Sequence, residues 1–247
     1  MKSALVTGAS SGIGKATSLE LSRQGYFIYL MGRDRDRLEA VAAECRYGAS
    51  ILSCDLHQPA SVEARLDEIV NHKINTLEIL VNNAGVFKNH TTETGSDEIW
   101  IEQFQVNLLS AVRIVRRLLP YFKEHKQGSI VNVSSTLGLK PTENTGAYSA
   151  IKAAMVNWTQ SLALEGGRFN IRVNCVCPGL VDTPIHSFHS LPTAEKSKVL
   201  DNLKNVQPLG RVGQPEEVAK AIAFLATPQS SWTTGAVLSV DGGINIK

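Results

Sequence analysis

Ala4-Leu5-Val6-Thr7-Gly8-Ala9-Ser10-Ser11-Gly12-Ile13-Gly14 is the stretch whose reading decides the fold. A short apolar run ends at Thr7, a glycine-rich turn follows, and a helical pattern starts at residue 13. Glycines let backbone N–H groups come close to a phosphate, and a helix N-terminus adds the positive end of its dipole. The spacing is G-x-x-x-G-x-G rather than the G-x-G-x-x-G of most dinucleotide dehydrogenases. No Gly-Lys-Ser/Thr ending follows, which disfavours a nucleoside-triphosphate loop. A glycine turn by itself also serves as a plain strand ending. Its place at the first strand-to-helix junction selects a dinucleotide, with Gly8, Ser10, Ser11, Gly12, Ile13 and Gly14 around the pyrophosphate.

The same rhythm runs outward along the chain. Short apolar, often β-branched runs lie at Ala4–Thr7, Phe27–Met31, Ser50–Cys54, Ile79–Asn82, Ser129–Val133, Ile171–Val176 and Ala236–Val240. They read as strands buried on both faces. Helical stretches lie between them at 13–24, 34–46, 60–73, 97–125, 146–167 and 215–226. The last opens on Pro215-Glu216-Glu217, a proline in the first turn with acids at the positive end of the dipole. Such alternation predicts an α/β, doubly wound, mainly parallel Rossmann-type sheet of about seven strands with helices on both faces. One sheet uses the whole chain, so 1–247 is expected to be a single domain. Residues 180–214 break the rhythm with Pro184, Pro192, Pro208, Gly210 and Gly213. They are expected to form a substrate lid with a short helix near 194–204.

Composition narrows the class. The 247 residues carry 25 Lys plus Arg and 23 Asp plus Glu, a formal charge of +2, with 43% hydrophobic and 19% charged residues. A disordered chain is excluded, and no nucleic-acid or membrane partner is expected. Four cysteines are too few for a disulfide scaffold, and Cys175-Val176-Cys177 lacks the CxxC spacing. No apolar run approaches the roughly 18 residues of a spanning helix. The start leads directly into a strand-like run, so a cytoplasmic location is expected.

Beyond the second strand the chain reads Met31-Gly32-Arg33-Asp34. In dinucleotide folds an acid here binds ribose hydroxyls, and an Arg accommodates a 2′-phosphate. Gly32 occupies the acid's place and Arg33 follows. A guanidinium without a carboxylate beside it favours NADP(H) over NAD(H). Arg33 also reads as one member of a solvated Arg33, Arg35, Arg37 run. Further on, Tyr148 and Lys152 stand one helical turn apart on one face. Ser134 and Ser135 follow a strand end, where open α/β sheets bind ligands.

Taken together, the Thr7–Gly14 turn, Asp55-Leu56, Asn82-Asn83-Ala84-Gly85, Asn107, Ser135, Tyr148-x-x-x-Lys152 and Pro178-Gly179 resemble the short-chain dehydrogenase/reductases over essentially the full chain. The tail from Pro208-Leu209-Gly210-Arg211 to Asp241-Gly242-Gly243 looks like the branch with the 3-oxoacyl-carrier-protein reductases. The resemblance implies that Ser135 bonds the substrate oxygen and that Tyr148 is general acid in reduction and base in oxidation. It implies that Lys152 holds the nicotinamide ribose and lowers the Tyr148 pKa, and that Asn107 holds a water of a proton relay. By the same resemblance Asp55 and Leu56 lie by adenine, and Asn82, Ala84 and Gly85 by the adenosine ribose. Pro178, Gly179, Val181 and Thr183 run beside the nicotinamide, while Asn83 braces the sheet.

The implied activity is NADP(H)-dependent reduction of a carbonyl to a secondary alcohol, with a small-molecule or acyl-thioester substrate. The alternatives are an NADP(H)-linked alcohol, sugar or steroid dehydrogenase and a non-catalytic dinucleotide-binding regulator. The complete set of Asn107, Ser135, Tyr148 and Lys152 speaks against the last. No metal is expected, and His186 and His189 read as polar lid residues. Leu180, Ile185, Phe188 and Leu191 give the lid an apolar side. Arg113, Arg116 and Arg117, with Lys126, Arg168 and Arg172, are basic candidates for a carrier-protein surface. The resemblance also implies a homotetramer or homodimer through helices 97–125 and 146–167 and the C-terminal tail, a role that Val112, Val115, Leu118 and Leu119 fit.

Overall fold

The computed structural model describes residues 1–71, 75–203 and 206–247. Strand β1 (Lys2–Thr7) alternates as a strand covered on both faces must: Ala4 and Val6 enter one core, Leu5 the other. β2 (Phe27–Gly32), β3 (Ala49–Ser53), β4 (Thr76–Asn82), β5 (Gly128–Val133), β6 (Ile171–Pro178) and β7 (Val237–Val240) join it in one sheet. The order is β3-β2-β1-β4-β5-β6-β7 and every pairing is parallel. Each strand begins and ends within three residues of its expected limits.

Helices α1 (Gly12–Arg23), α2 (Arg35–Glu44) and α8 (Pro215–Ala226) cover one face, with Leu21, Leu38, Val218 and Ile222 buried against Val6, Leu30 and Val131. α3 (Pro59–Val70), α5 (Ser110–His125) and α6 (Gly146–Gly167) cover the other, with Leu66, Ile114, Phe122 and Leu162 against Leu5, Leu80 and Ile130. Residues 72 and 73 of the expected helix 60–73, and 204 of the expected helix 194–204, lie outside the described residues. The latter helix is α7 (Thr193–Leu203).

The expected helix 97–125 is not one regular helix. α4 (Asp97–Phe104) leads through a π-helical turn at Gln105–Leu109 into α5. A π turn takes up one extra residue and tends to mark a functional position; here it carries Asn107. The expected intersubunit residues also need correction. Val115 and Leu118 are buried inside the chain's own core, and Leu119 packs against it. The exposed apolar side chains of this region are Trp100, Ile101 and Phe104 on α4.

Two basic candidates are engaged within the fold. Arg117 pairs with Asp67 on α3. Arg172 ends α8: its guanidinium donates to the carbonyls of Leu225 (2.7 Å), Ala226 (3.2 Å) and Thr227 (3.0 Å), and to Ser129 and Ser230. A cation at a helix C-terminus satisfies both the orphan carbonyls and the dipole.

Candidate active site

The strand order reverses between β1 and β4, which opens a crevice at their C-terminal ends. The glycine turn enters it from β1. Gly8 (φ +65) and Gly12 (φ +53) hold left-handed backbone, and a Cβ on Gly14 would lie 2.1 Å from the Gly8 carbonyl oxygen. No side chain fits there, so the turn can tighten only on glycine. Ser11 makes no side-chain cap to α1 and the first turn holds no acid. The helix N-terminus therefore keeps N–H groups for an anion. The turn is braced from β4: Asn83 and Ala84 donate N–H to Thr7 Oγ1 (3.0 Å each), and Asn83 Nδ2 donates to the Thr7 carbonyl (2.9 Å). These features fit a bound pyrophosphate.

Arg33 lies exposed at the end of β2. Its neighbours are already paired, Arg35 with Glu39 and Arg37 with Asp34, whereas Arg33 has no ion pair among the described residues. Across from it, the His57 N–H holds the Asp55 carboxyl below its usual range, helped by the charges of His57 and Arg33. Leu56 is buried beneath. The space at Gly32 faces the Ser10 hydroxyl, 3.8 Å from where a Cβ would sit.

Farther along the crevice Tyr148, Lys152, Ser135 and Asn107 come together. Tyr148 and Lys152 are both buried, and the ammonium lies 5.6 Å from the tyrosine ring centroid. Lys152 Nζ donates to the Val133 carbonyl (2.8 Å). Ser135 lies two residues past the end of β5 in extended backbone, close enough to Tyr148 to act on its hydroxyl, while its Oγ accepts from the Leu137 N–H (3.1 Å). Gly85 fills the gap between Asn107 and Lys152: a Cβ there would stand 3.0 Å from Asn107 Oδ1 and 3.8 Å from Lys152 Nζ.

Burial dominates the electrostatics. It pushes the Tyr148 hydroxyl up to about 12, against the lowering influence of the nearby Ser135 hydroxyl, and brings the Lys152 ammonium down to about 8. The sequence-based view of a lysine lowering the tyrosine is therefore outweighed by desolvation. The Asn107 amide accepts from Val86 N–H (2.7 Å) and donates to Val86 O (2.9 Å), so its side chain clamps the loop after β4. Asn82 turns its amide across the sheet to Asn132 (2.8 Å), leaving only its backbone near the crevice.

The segment after β6 closes the third side. Gly179 packs so near Asp241 that a Cβ would meet its Cα at 2.8 Å, and Val181 bridges to Gly213. Thr183 is buried against Gly12, tying this segment to the glycine turn. Asp182 accepts from His189 (3.0 Å) and pairs with Lys196 of α7 (2.7 Å). Burial alone would raise its carboxyl, but these two partners hold it below the usual range. No residue of α7 is buried. The side chain of Phe188 lies outside the described residues. Sequence reasoning passed over Phe87, whose ring meets Tyr148 edge-on at 4.9 Å between centroids, and Cys177, buried beside the lysine. Neither residue type carries a motif, and strand spacing marks Cys177 only as a core position. Among the described residues no three His, Cys, Asp or Glu side chains could hold a metal, and no helix is long and apolar enough to cross a membrane.

A family model described as enoyl-(acyl carrier protein) reductase matches residues 8–245. The 3-oxoacyl-[acyl-carrier-protein] reductase FabG of Thermotoga maritima is 34% identical over 99% of this chain and 98% of its own. A tropinone reductase homolog of Arabidopsis thaliana is 35% identical over 99% and 92%. A solved structure of a short chain dehydrogenase/reductase family protein superposes with a TM-score of 0.88 at 32% identity, covering 99% of this chain and 97% of that one.

Proposed function

The chain belongs to the short-chain dehydrogenase/reductase family of NAD(P)-dependent oxidoreductases, and from that premise we propose that it reduces a ketone to a secondary alcohol with NADP(H), with Tyr148 as the proton donor. The observation that carries this is the convergence of a buried, protonated Tyr148 with Ser135 and Lys152 at one strand end. The turn from Gly8 to Gly14 would hold the pyrophosphate, Arg33 the 2′-phosphate, Asp55 the adenine side and Lys152 the nicotinamide ribose. When bound, the reduced nicotinamide supplies a hydride to the carbonyl carbon.

The chain's own part is position and a proton. Ser135 holds the carbonyl oxygen, and Tyr148 gives that oxygen its phenolic proton as it becomes a hydroxyl. A tyrosine at about 12 is fully protonated at neutral pH, as a donor must be. Lys152 places positive charge beside the phenolate left behind. In the reverse direction Tyr148 takes the proton back. The segment Pro178–Thr183 and the 180–214 lid would keep water from the crevice. A 3-oxoacyl thioester is the first substrate to try, because FabG relatives carry that activity in their names.

The test follows NADPH absorbance with a 3-oxoacyl thioester and small diketones. Tyr148→Phe is expected to abolish turnover and spare cofactor binding; a fully active variant would remove the proton role. A homotetramer or homodimer is supported by a groove of ≈ 420 Å³ lined by Trp100, Ile101, Phe104, Leu108, Ile151 and Ala154. Light scattering that found only monomer would overturn it.

A further inference from the structure

Phe87 stands where the loop after β4 passes Tyr148. The backbone on either side of it is fixed. Asn107 takes both polar groups of Val86, and the Lys88 N–H donates to Gln103 Oε1 (3.2 Å). Lys88 is held again through its ion pair with Glu102. All three clamping side chains come from α4 and the π turn, so the loop cannot carry Phe87 away without breaking part-buried hydrogen bonds. Its ring meets the Tyr148 ring at 75°. Tyr148 is buried, whereas Phe87 keeps part of its surface open. A rigidly mounted, partly open aromatic beside a proton donor forms a wall for whatever the donor serves.

We propose that Phe87 is a specificity-determining residue: its ring walls the substrate space beside Tyr148 and limits the group that a ketone can carry next to its carbonyl. This rests on Tyr148 as the proton donor. A substrate oxygen that reaches the Tyr148 hydroxyl brings its carbonyl substituents within an aromatic ring's reach of Phe87. A flat or compact apolar group packs against the ring face or edge, and a bulkier one collides with it. A hydrophobic wall of this kind changes selectivity by about 10- to 200-fold per group accommodated or rejected.

Two probes test it: diacetyl, and the diketone in which one methyl is replaced by phenyl. Phe87→Ala is expected to raise kcat/KM for the phenyl diketone relative to diacetyl by about 10-fold or more, mostly through KM. Phe87→Trp is expected to move the ratio the other way, and Phe87→Leu carries the test if Phe87→Ala does not fold. An unchanged ratio overturns the proposal. A second measurement needs no turnover. The tyrosine ionisation difference spectrum, with Tyr148→Phe subtracted, is expected to place Tyr148 at least one pH unit lower in Phe87→Ala, because water reaches it. An unchanged titration overturns the wall. Activity surviving in Tyr148→Phe would instead strike the donor role and leave both Phe87 readings interpretable.

Discussion

The ammonium of Lys152 donates to the main-chain carbonyl of Val133 at 2.8 Å, so helix α6 is tied to the end of β5 by a buried cation. Burial brings this group down to about 8 in the fold, while a lysine in an unfolded chain titrates near ~10.4. Between those values the unfolded chain binds more protons, so stability rises with pH. Tyr148 acts oppositely at higher pH. The fold keeps its proton up to about 12 and the unfolded chain loses it near ~10, so stability falls across that interval. Thermal melts of the cofactor-free protein are expected to climb from pH 8 toward 10, and Lys152→Met to flatten the climb. Parallel curves for the two proteins would contradict the assignment.

Arg33 is expected to decide between the two cofactors. Removing a charge-assisted phosphate contact costs about 1.5–3 kcal/mol. Arg33→Ala should therefore lose about 10- to 100-fold in kcat/KM for NADPH. NADH use should change little. A wild-type enzyme that prefers NADH, or an equal loss with both, would refute the preference.

Arg172→Leu is expected to destabilise the fold by about 2–4 kcal/mol, because the α8 carbonyls lose their donor in a half-buried place. Arg172→Lys should recover less than half, since an ammonium lacks the fork that spans these acceptors. Urea midpoints measure both, and a shift below about 0.5 kcal/mol would show the cap to be idle.

Much of this architecture was legible because strand and helix periods are local. The seven strands, the α8 start at Pro215 and the Tyr148–Lys152 spacing all follow from residues close in sequence. The π turn was not legible. It carries Asn107, whose amide reaches a backbone 21 residues away at Val86. Val115 and Leu118 looked available to a partner because helical spacing reveals an apolar face without saying what covers it. Arg172 looked like surface charge because its carbonyl acceptors on α8 lie more than 50 residues away. The rise of Tyr148 was hidden for a related reason, since a charge is visible in sequence and burial is not.

Asp182 links the segment after β6 to His189 and to Lys196 of α7, within the proposed lid. Asp182→Asn keeps the shape and removes the charge. It is expected to raise substrate KM about 3- to 10-fold, on the order of one exposed-to-half-buried ion pair. Limited proteolysis between residues 185 and 203 should quicken. Unchanged KM and unchanged cleavage would show that the pair does not hold the lid.

The π turn at Gln105–Leu109 has one more consequence. An α-helix advances about 100° per residue, so one surplus residue rotates everything beyond it by that angle about a shared axis. α4, the π turn and α5 are thus continuous in the chain but present different faces. Before the turn Trp100, Ile101 and Phe104 look outward, and after it Ile114, Leu118 and Phe122 look into the sheet. Asn107 sits at the change of face. The residue that clamps the loop after β4 thus lies at the change of phase between the chain's interior and its outward apolar groove.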